Sequence, residues 1–301
     1  MTVKTQNRTC PVCSGEKVKE LNIVNDIKIV RCICCSMVFA DVENSEIDEK
    51  NIYTEESFYK YIANEPVYSL AYYDLILEKI QKQLNKKDIK ILEFGCGPGF
   101  FLRRAKLKNI DTYGCDFSSY SQLAKDIFKL NIKVDSIFDA GYEDNAFDVV
   151  ITHATHEHLS NLHEISLKLH QLLKPGGLYI ISGVPNYNTI PIKVFSNFFK
   201  NAPPSHVNFF EKKSIKQFYN NLSLNTISIR TYGVSTWAWS FIIKMKQKFR
   251  KKNKIENKPS VIVEKDISEP EITRFLKIIA KIYVYFHIPG MGRNIEIWGR
   301  K

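Results

Sequence analysis

Ile91-Leu92-Glu93-Phe94-Gly95-Cys96-Gly97-Pro98-Gly99 is the stretch on which the fold of this chain turns. An apolar run meets a sharp glycine turn, and Phe100-Phe101-Leu102-Arg103-Arg104 then reads as the start of a helix. Three glycines spaced by single residues let the backbone turn tightly and let a ligand approach without meeting a Cβ. The first N–H groups of the following helix point, unsatisfied, at whatever occupies the turn. Strand, turn and helix together predict a nucleotide or nucleoside site. A phosphate-cradling P-loop is excluded, because it needs a longer gap between its glycines and then Lys-Ser/Thr. The dinucleotide fingerprint is excluded as well: its third glycine would fall where Phe100 stands.

Outward from that turn, strands and helices alternate. Strand 90–94 leads to a helix ending near Lys108, then to strand 112–115, which Asp116 terminates. A helix near 119–130, a short strand 132–134 and strand Phe147 to Thr152 follow. A helix over about 160–173 runs into Lys174-Pro175-Gly176-Gly177 and strand Leu178 to Val184. This rhythm predicts a parallel sheet of βαβ units. Upstream, Leu70, Tyr73, Leu77, Ile80 and Leu84 give an amphipathic helix from about Pro66, while residues 41–60 read as an acidic, polar connector.

The motifs around this core resemble those of the class I S-adenosylmethionine-dependent methyltransferases, in particular the bacterial branch with an N-terminal zinc ribbon. Glu93-x-Gly95-x-Gly97-x-Gly99 resembles motif I. Tyr142 to Val150 looks like the segment entering strand four, and Glu157-His158-Leu159 resembles the element after it. Leu172-Leu173-Lys174-Pro175-Gly176-Gly177 with Val184-Pro185-Asn186 resembles the frame of strand five. The resemblance covers about Ile89 to Asn186. It implies S-adenosylmethionine as methyl donor and an α/β, Rossmann-like, seven-stranded, mostly parallel sheet whose last strand is antiparallel. Asp116, which ends strand two, would accept hydrogen bonds from a ribose. The expected cofactor residues are Glu93, Gly95, Cys96, Gly97, Gly99, Asp116, Phe117 and His153. Family members often carry an acidic residue after strand three that holds the adenine amino group. Here Ser136 stands there, so the backbone at Ser136 and Ile137 is assigned that contact.

Beyond Asn186, Ile190 to Phe199 reads as a short helix over the site, and Pro203 to Phe210 resembles the family's acceptor segment before helix 212–221. Strand six is expected at 224–232 and strand seven at 294–300. A neutral hydroxyl acceptor needs a general base, and histidine titrates nearest to neutral pH. His153, His156 and His158 follow strand four, and His206 lies in the acceptor segment. His158 and His206, with Glu157, are the expected catalytic residues; a role in fixing loops by hydrogen bonds stands beside this reading. Cys96 and Cys115 flank the cofactor as small packing residues.

Among the seven cysteines, Cys10-x-x-Cys13 and Cys32-x-x-Cys35 have the spacing of a zinc ribbon, with a hairpin about Asn25-Asp26 between them and Cys34 left over. Four thiolates leave no open position, so this zinc is expected to be structural. The resulting organisation is a ribbon over 1–42 and a connector and helix over 43–87. The cofactor-binding core spans 88–232, completed by 293–301, and a basic helical insertion covers 233–292.

The net charge of +11 points to an anionic partner, although abundant Lys, Asn and Ile also fit codon bias in an AT-rich genome. In the insertion, Trp237 and Trp239 precede Lys244, Lys246, Lys248 and Arg250 to Lys252. That is the composition of an interfacial helix, which makes 236–254 a candidate for peripheral membrane contact. A helical hairpin packed on its own protein is the competing reading. No stretch reads as a signal peptide or approaches the ~18 apolar residues of a membrane span, so a cytoplasmic protein is expected, with the inner face of the membrane as its one candidate place of peripheral contact. The expected reaction is methyl transfer to a saccharide, nucleotide- or lipid-linked, or to another small metabolite. RNA methylation and a non-catalytic binding module are the alternatives.

Overall fold

The computed structural model describes residues 9–42, 54–64, 67–189, 205–233, 274, 277, 278, 281, 282 and 292–301. Its centre is a seven-stranded sheet. The strands are β4 (Lys90–Phe94), β5 (Asp111–Cys115), β6 (Ile132–Lys133), β7 (Phe147–His153), β8 (Leu173–Pro185), β10 (Asn225–Tyr232) and β11 (Asn294–Arg300). They lie in the order β10-β11-β8-β7-β4-β5-β6. The β4–β5, β4–β7, β5–β6 and β7–β8 pairs are parallel, whereas β11 runs antiparallel to both β8 and β10. The expected sheet and its antiparallel last strand are therefore present. The strand sequences explain the burial: Val149, Val150 and Ile151 of β7, and Leu178 to Ile181 of β8, are fully enclosed, as continuous apolar runs are when helices cover both faces.

Helices α2 (Val67–Leu84), α3 (Phe100–Leu107) and α4 (Ser119–Phe128) share one apolar cluster with Ile91, Val149 and Ile180. Helices α5 (Leu162–Leu172) and α6 (Lys212–Asn221) share the other with Leu92, Val150 and Ile181. Alternate residues of each strand thus feed opposite clusters, as a pleated strand requires. Arg104 of α3 donates from Nε and Nη2 to the two oxygens of Asp74 in α2, at 3.1 and 2.8 Å, in a buried pair that fixes one helix on the other.

Residues 41–60 are not wholly a connector. Glu55–Asn64 forms helix α1, anchored by Phe58, which is fully buried with its ring edge-on to Tyr59 and Tyr120. Burying one such ring is worth about 2–3 kcal/mol, enough to order a short helix that periodicity alone does not announce. The Lys174 to Gly177 turn is likewise drawn into β8, because Leu173 already pairs with Phe147 across a bulge.

The N-terminal cysteines sit on a second, four-stranded sheet of order β1-β2-β3-β9, built from β1 (Val18–Val24), β2 (Ile27–Cys32), β3 (Val38–Ala40) and β9 (Asn208–Phe209). The β1–β2 hairpin turns at Asn25 and Asp26, both left-handed, as the sequence suggested. Three strands come from the N-terminal residues 18–40 and the fourth from the segment before α6, with Val38 opposite Phe209 and Phe39 opposite Asn208. Val12, Met37 and Phe39 join the same cluster as Phe210, Ile215 and Phe218. Arg31 pairs with Glu211 at 3.0 Å, and Asn221 donates to the carbonyl of Val12. No helix among the described residues is long and apolar enough to cross a membrane. Residues 274, 277, 278, 281 and 282 are helical, and Lys277 reaches Glu78 of α2 at 2.8 Å. The candidate membrane segment 236–254 and the helix expected over 190–199 lie outside the described residues.

Candidate functional site

Strand β4 has β5 on one side and β7 on the other, so the chain winds away from it in both directions. An open α/β sheet leaves a crevice at such a switch point, outside the carboxyl ends of the strands. A cavity of about 420 Å³ lies there. Glu93, Gly95, Cys96, Gly97, Asp116, Phe117 and His153, all expected cofactor residues, line it, as does His158.

The glycine turn is fixed by its partners. Gly95 extends the strand ladder by donating to the Cys115 carbonyl at 2.8 Å. At φ +72° it stands where a Cβ would run into the side chain of Thr155. Gly97 has φ +46°, and a Cβ there would meet only open space. The first glycine therefore serves the close approach of two loops, and the second leaves room for a ligand. Asp116 accepts the N–H of Gly97 at 2.8 Å on one oxygen and the N–H of Ser118 at 2.7 Å on the other. A carboxylate has about four acceptor positions, so two remain for a diol.

Glu93 is buried with one oxygen that has no hydrogen-bond partner. Burial, with the Asp116 charge beside it, raises its carboxyl well above the usual range. A cationic group in the cavity would supply the missing partner. His153 is held neutral by burial, its imidazole pushed down to about 4, and its ring meets Tyr73 edge-on. Gly99, Ser136 and Ile137 stand outside the cavity lining. Gly99 caps α3 and would press a Cβ against Leu130, while Ile137 is buried in the core. Tyr61, Tyr73, Phe100, Tyr120 and Thr155 line the cavity without having been expected among the cofactor or catalytic residues. Tyr61 stacks on Phe100 with centroids 5.8 Å apart, an arrangement available only once α1 forms.

The histidines after β7 divide into two kinds. His156 is fully buried, with Nδ1 at 3.0 Å from the Thr152 hydroxyl and its ring against Phe218. Burial pushes it down to about 3, so it fixes the loop and does not exchange protons at neutral pH. His158 is partly exposed. Its Nδ1 lies 2.6 Å from the Ser205 carbonyl, an oxygen that can only accept, so the proton sits on Nδ1 and Nε2 keeps its lone pair. The His206 ring meets it edge-on at 4.7 Å, and burial with the neighbouring His158 lowers His206 to about 4. Burial lowers His158 too.

Glu157 is buried beside them. One carboxylate oxygen is 3.9 Å from His158 Nε2 and the other has no partner. Burial raises this carboxyl to about 8. Its main-chain carbonyl accepts from Val207 and Asn208, while the Asn208 amide donates to the carbonyls of His156 and Leu159. The loop after β7 and the acceptor segment are thereby stitched together, and the three expected catalytic residues meet.

At the ribbon, the Sγ atoms of Cys10, Cys13, Cys32 and Cys35 lie within 4.8 Å of one another, with Cys10–Cys35 and Cys13–Cys32 at 3.5 Å. Four sulfurs bound tetrahedrally at about 2.3 Å stand about 3.8 Å apart, so the set fits zinc. Cys34 is exposed and outside it. A Cβ on Gly15 would come within 3.3 Å of Cys13 Sγ, so the turn leaves little spare room around the thiols.

Residues 68–229 match a family described as "Methyltransferase domain". The chain is 31% identical over 115 residues to a ubiquinone biosynthesis O-methyltransferase of Rickettsia bellii, covering 36% of this chain and 48% of that protein. It thus spans about half the length of that curated relative. Two solved structures share the fold. The Haemonchus contortus phosphoethanolamine N-methyltransferase 2 in complex with S-adenosyl-L-methionine superposes with a TM-score of 0.55 at 15% identity, over 88% of this chain and 61% of that one. A putative sarcosine dimethylglycine methyltransferase from Galdieria sulphuraria gives 0.54 at 12% identity, over 83% and 91%.

Proposed function

The chain belongs to the methyltransferase-domain family, and from that premise we propose that it methylates a hydroxyl oxygen of a small, oxygen-rich acceptor, a saccharide or a comparable metabolite. The observation that carries this reading is the meeting of Glu157, His158 and His206 beside the cavity that motif I and Asp116 line. An oxygen acceptor needs its proton managed, whereas an amine needs less help, and proton-handling side chains gather here. The similarity to an O-methyltransferase agrees with it.

S-adenosylmethionine, when bound, supplies a methyl group made electrophilic by the sulfonium. Asp116 would receive the ribose hydroxyls, Gly97 would admit the ligand to the backbone, and Glu93 would face its cationic end. The remaining task is in-line positioning and exclusion of water. The aromatic wall of Tyr61, Phe100 and Tyr120 serves exclusion. His158, with Nε2 unprotonated, is placed to orient the acceptor hydroxyl or take its proton, and His206 supports it. Cys10, Cys13, Cys32 and Cys35 would hold a structural zinc, since four protein ligands leave no open position.

Methyl transfer from radiolabelled S-adenosylmethionine into fractionated cell material, with Asp116→Ala as control, tests the reading. Label in the saccharide, glycolipid or small-metabolite fraction, absent from the control, is expected. Label in RNA or protein would overturn the acceptor class.

A further inference from the structure

We propose that Glu157, His158 and His206 form a divalent-cation site at the acceptor end of the cavity, and that the acceptor binds there through two neighbouring oxygens. The proposal rests on the O-methyl-transfer reading above and names the acceptor class it requires.

One carboxylate oxygen and one nitrogen from each imidazole lie within 4.8 Å of one another. A cation bound at about 2.1 Å spaces its ligands about 3.0–3.4 Å apart, so it would draw these donors together by about an ångström. Two observations independent of that clustering point to a ligand. First, Glu157 is 2% exposed and still has a carboxylate oxygen without a hydrogen-bond partner, which is costly unless something fills the place. Second, His158 is oriented as metal-binding histidines are: Nδ1 is committed to the Ser205 carbonyl at 2.6 Å, and the bare Nε2 faces Glu157 at 3.9 Å. A pair of histidines acting only as bases would leave the buried carboxylate oxygen unexplained.

Two imidazoles and a carboxylate on one side of an ion leave positions open on the other, and suit manganese, iron, cobalt or zinc. His158 belongs both to this group and to the cavity wall, so the open side adjoins the place of methyl delivery. Two adjacent open positions fit a vicinal diol or catechol. The role is that of a Lewis acid, with no change of oxidation state. With its free nitrogen engaged by the cation, His158 orients the acceptor without serving as its base, and the acceptor hydroxyl gives its proton to solvent. Its oxygen then forms the new C–O bond as the C–S bond breaks, and that electron pair remains on sulfur, leaving a neutral thioether.

The test is titration with Mn²⁺ of the full chain carrying one zinc per molecule, so that only the four-cysteine site is filled, read by the loss of the free-ion EPR signal and by nitrogen couplings in the pulsed spectrum. One Mn²⁺ per chain with imidazole couplings is expected. Glu157→Gln or His206→Gln should weaken it at least about tenfold, with S-adenosylmethionine affinity, measured by calorimetry, retained. Absence of Mn²⁺ uptake, absence of nitrogen couplings, or wild-type affinity in both variants would overturn the site. Should one variant lose cofactor binding and so its fold, the other decides, and the couplings in the wild-type chain need no variant. The two readings fail separately. Mn²⁺ binding without methyl transfer to a diol or catechol leaves the cation site and removes its acceptor. Transfer without Mn²⁺ binding removes the site and leaves O-methylation.

Discussion

Asp116 accepts the backbone N–H of Gly97 at 2.8 Å, tying the end of β5 to the middle of the glycine turn. One carboxylate therefore shapes the turn while keeping acceptor capacity for a ligand. Asp116→Asn removes the charge but little of the shape. It is expected to raise the dissociation constant for S-adenosylmethionine at least about tenfold, ~1.4 kcal/mol, with a smaller change in melting temperature. Calorimetric titration alongside a thermal melt separates the two effects.

Gly95 and Gly97 should answer alanine in opposite ways. Gly95→Ala places a methyl group against Thr155 in a left-handed backbone. Left-handed strain alone costs ~1–2 kcal/mol, so a loss of at least ~2 kcal/mol of stability is expected. Gly97→Ala meets no protein atom within 4 Å. Its stability cost should stay near the strain value, while cofactor affinity falls further than in the Gly95 variant. Denaturant melts and binding titrations on the pair check the reversal.

Loss of the zinc proposed for Cys10, Cys13, Cys32 and Cys35 should reach the loop after β7. Asn208 pairs with Phe39 in the ribbon sheet and holds the carbonyls of His156 and Leu159. Chelation, or Cys35→Ser, is expected to speed amide exchange at 207–209 and at 157–158 and to lower turnover. Unchanged exchange at those amides would show that the ribbon is energetically separate.

Acid stability should carry the mark of His156. The folded imidazole is depressed to about 3, against about 6.5 unfolded. Its contribution to stability is complete above pH ~6.5 and is lost as pH falls toward 3, because the unfolded chain takes up the proton first. The loss runs to ~1.4 kcal/mol per pH unit within that window. His156→Gln should flatten this part of the stability–pH curve, as read by urea melts at a series of pH values.

What the sequence made legible was local. The glycine turn, the apolar strands β7 and β8 and the Cys-x-x-Cys pairs each announce themselves within a few residues. Helix α1 did not, because its anchor Phe58 and cavity residue Tyr61 sit in a polar stretch too short for a clear period. Strand β9 could not, since two residues carry no alternation. Glu157, His158 and His206 were named residue by residue through resemblance, but the orientation of His158 depends on Ser205, 47 positions away. Pairings over that distance leave no periodic trace.

The place of β11 has a consequence for how the molecule is made. It is the last strand in the sequence, yet it lies between β8 and β10. On a growing chain, the edge of β8 stands bare and β10 has no neighbour to join until residues 294–300 have emerged. During that interval the longest strand of the sheet presents unpaired N–H and C=O groups to any other strand nearby. Completion of the sheet therefore waits for residues 294–300, and truncations before Asn294 should yield aggregates in place of a weakened fold.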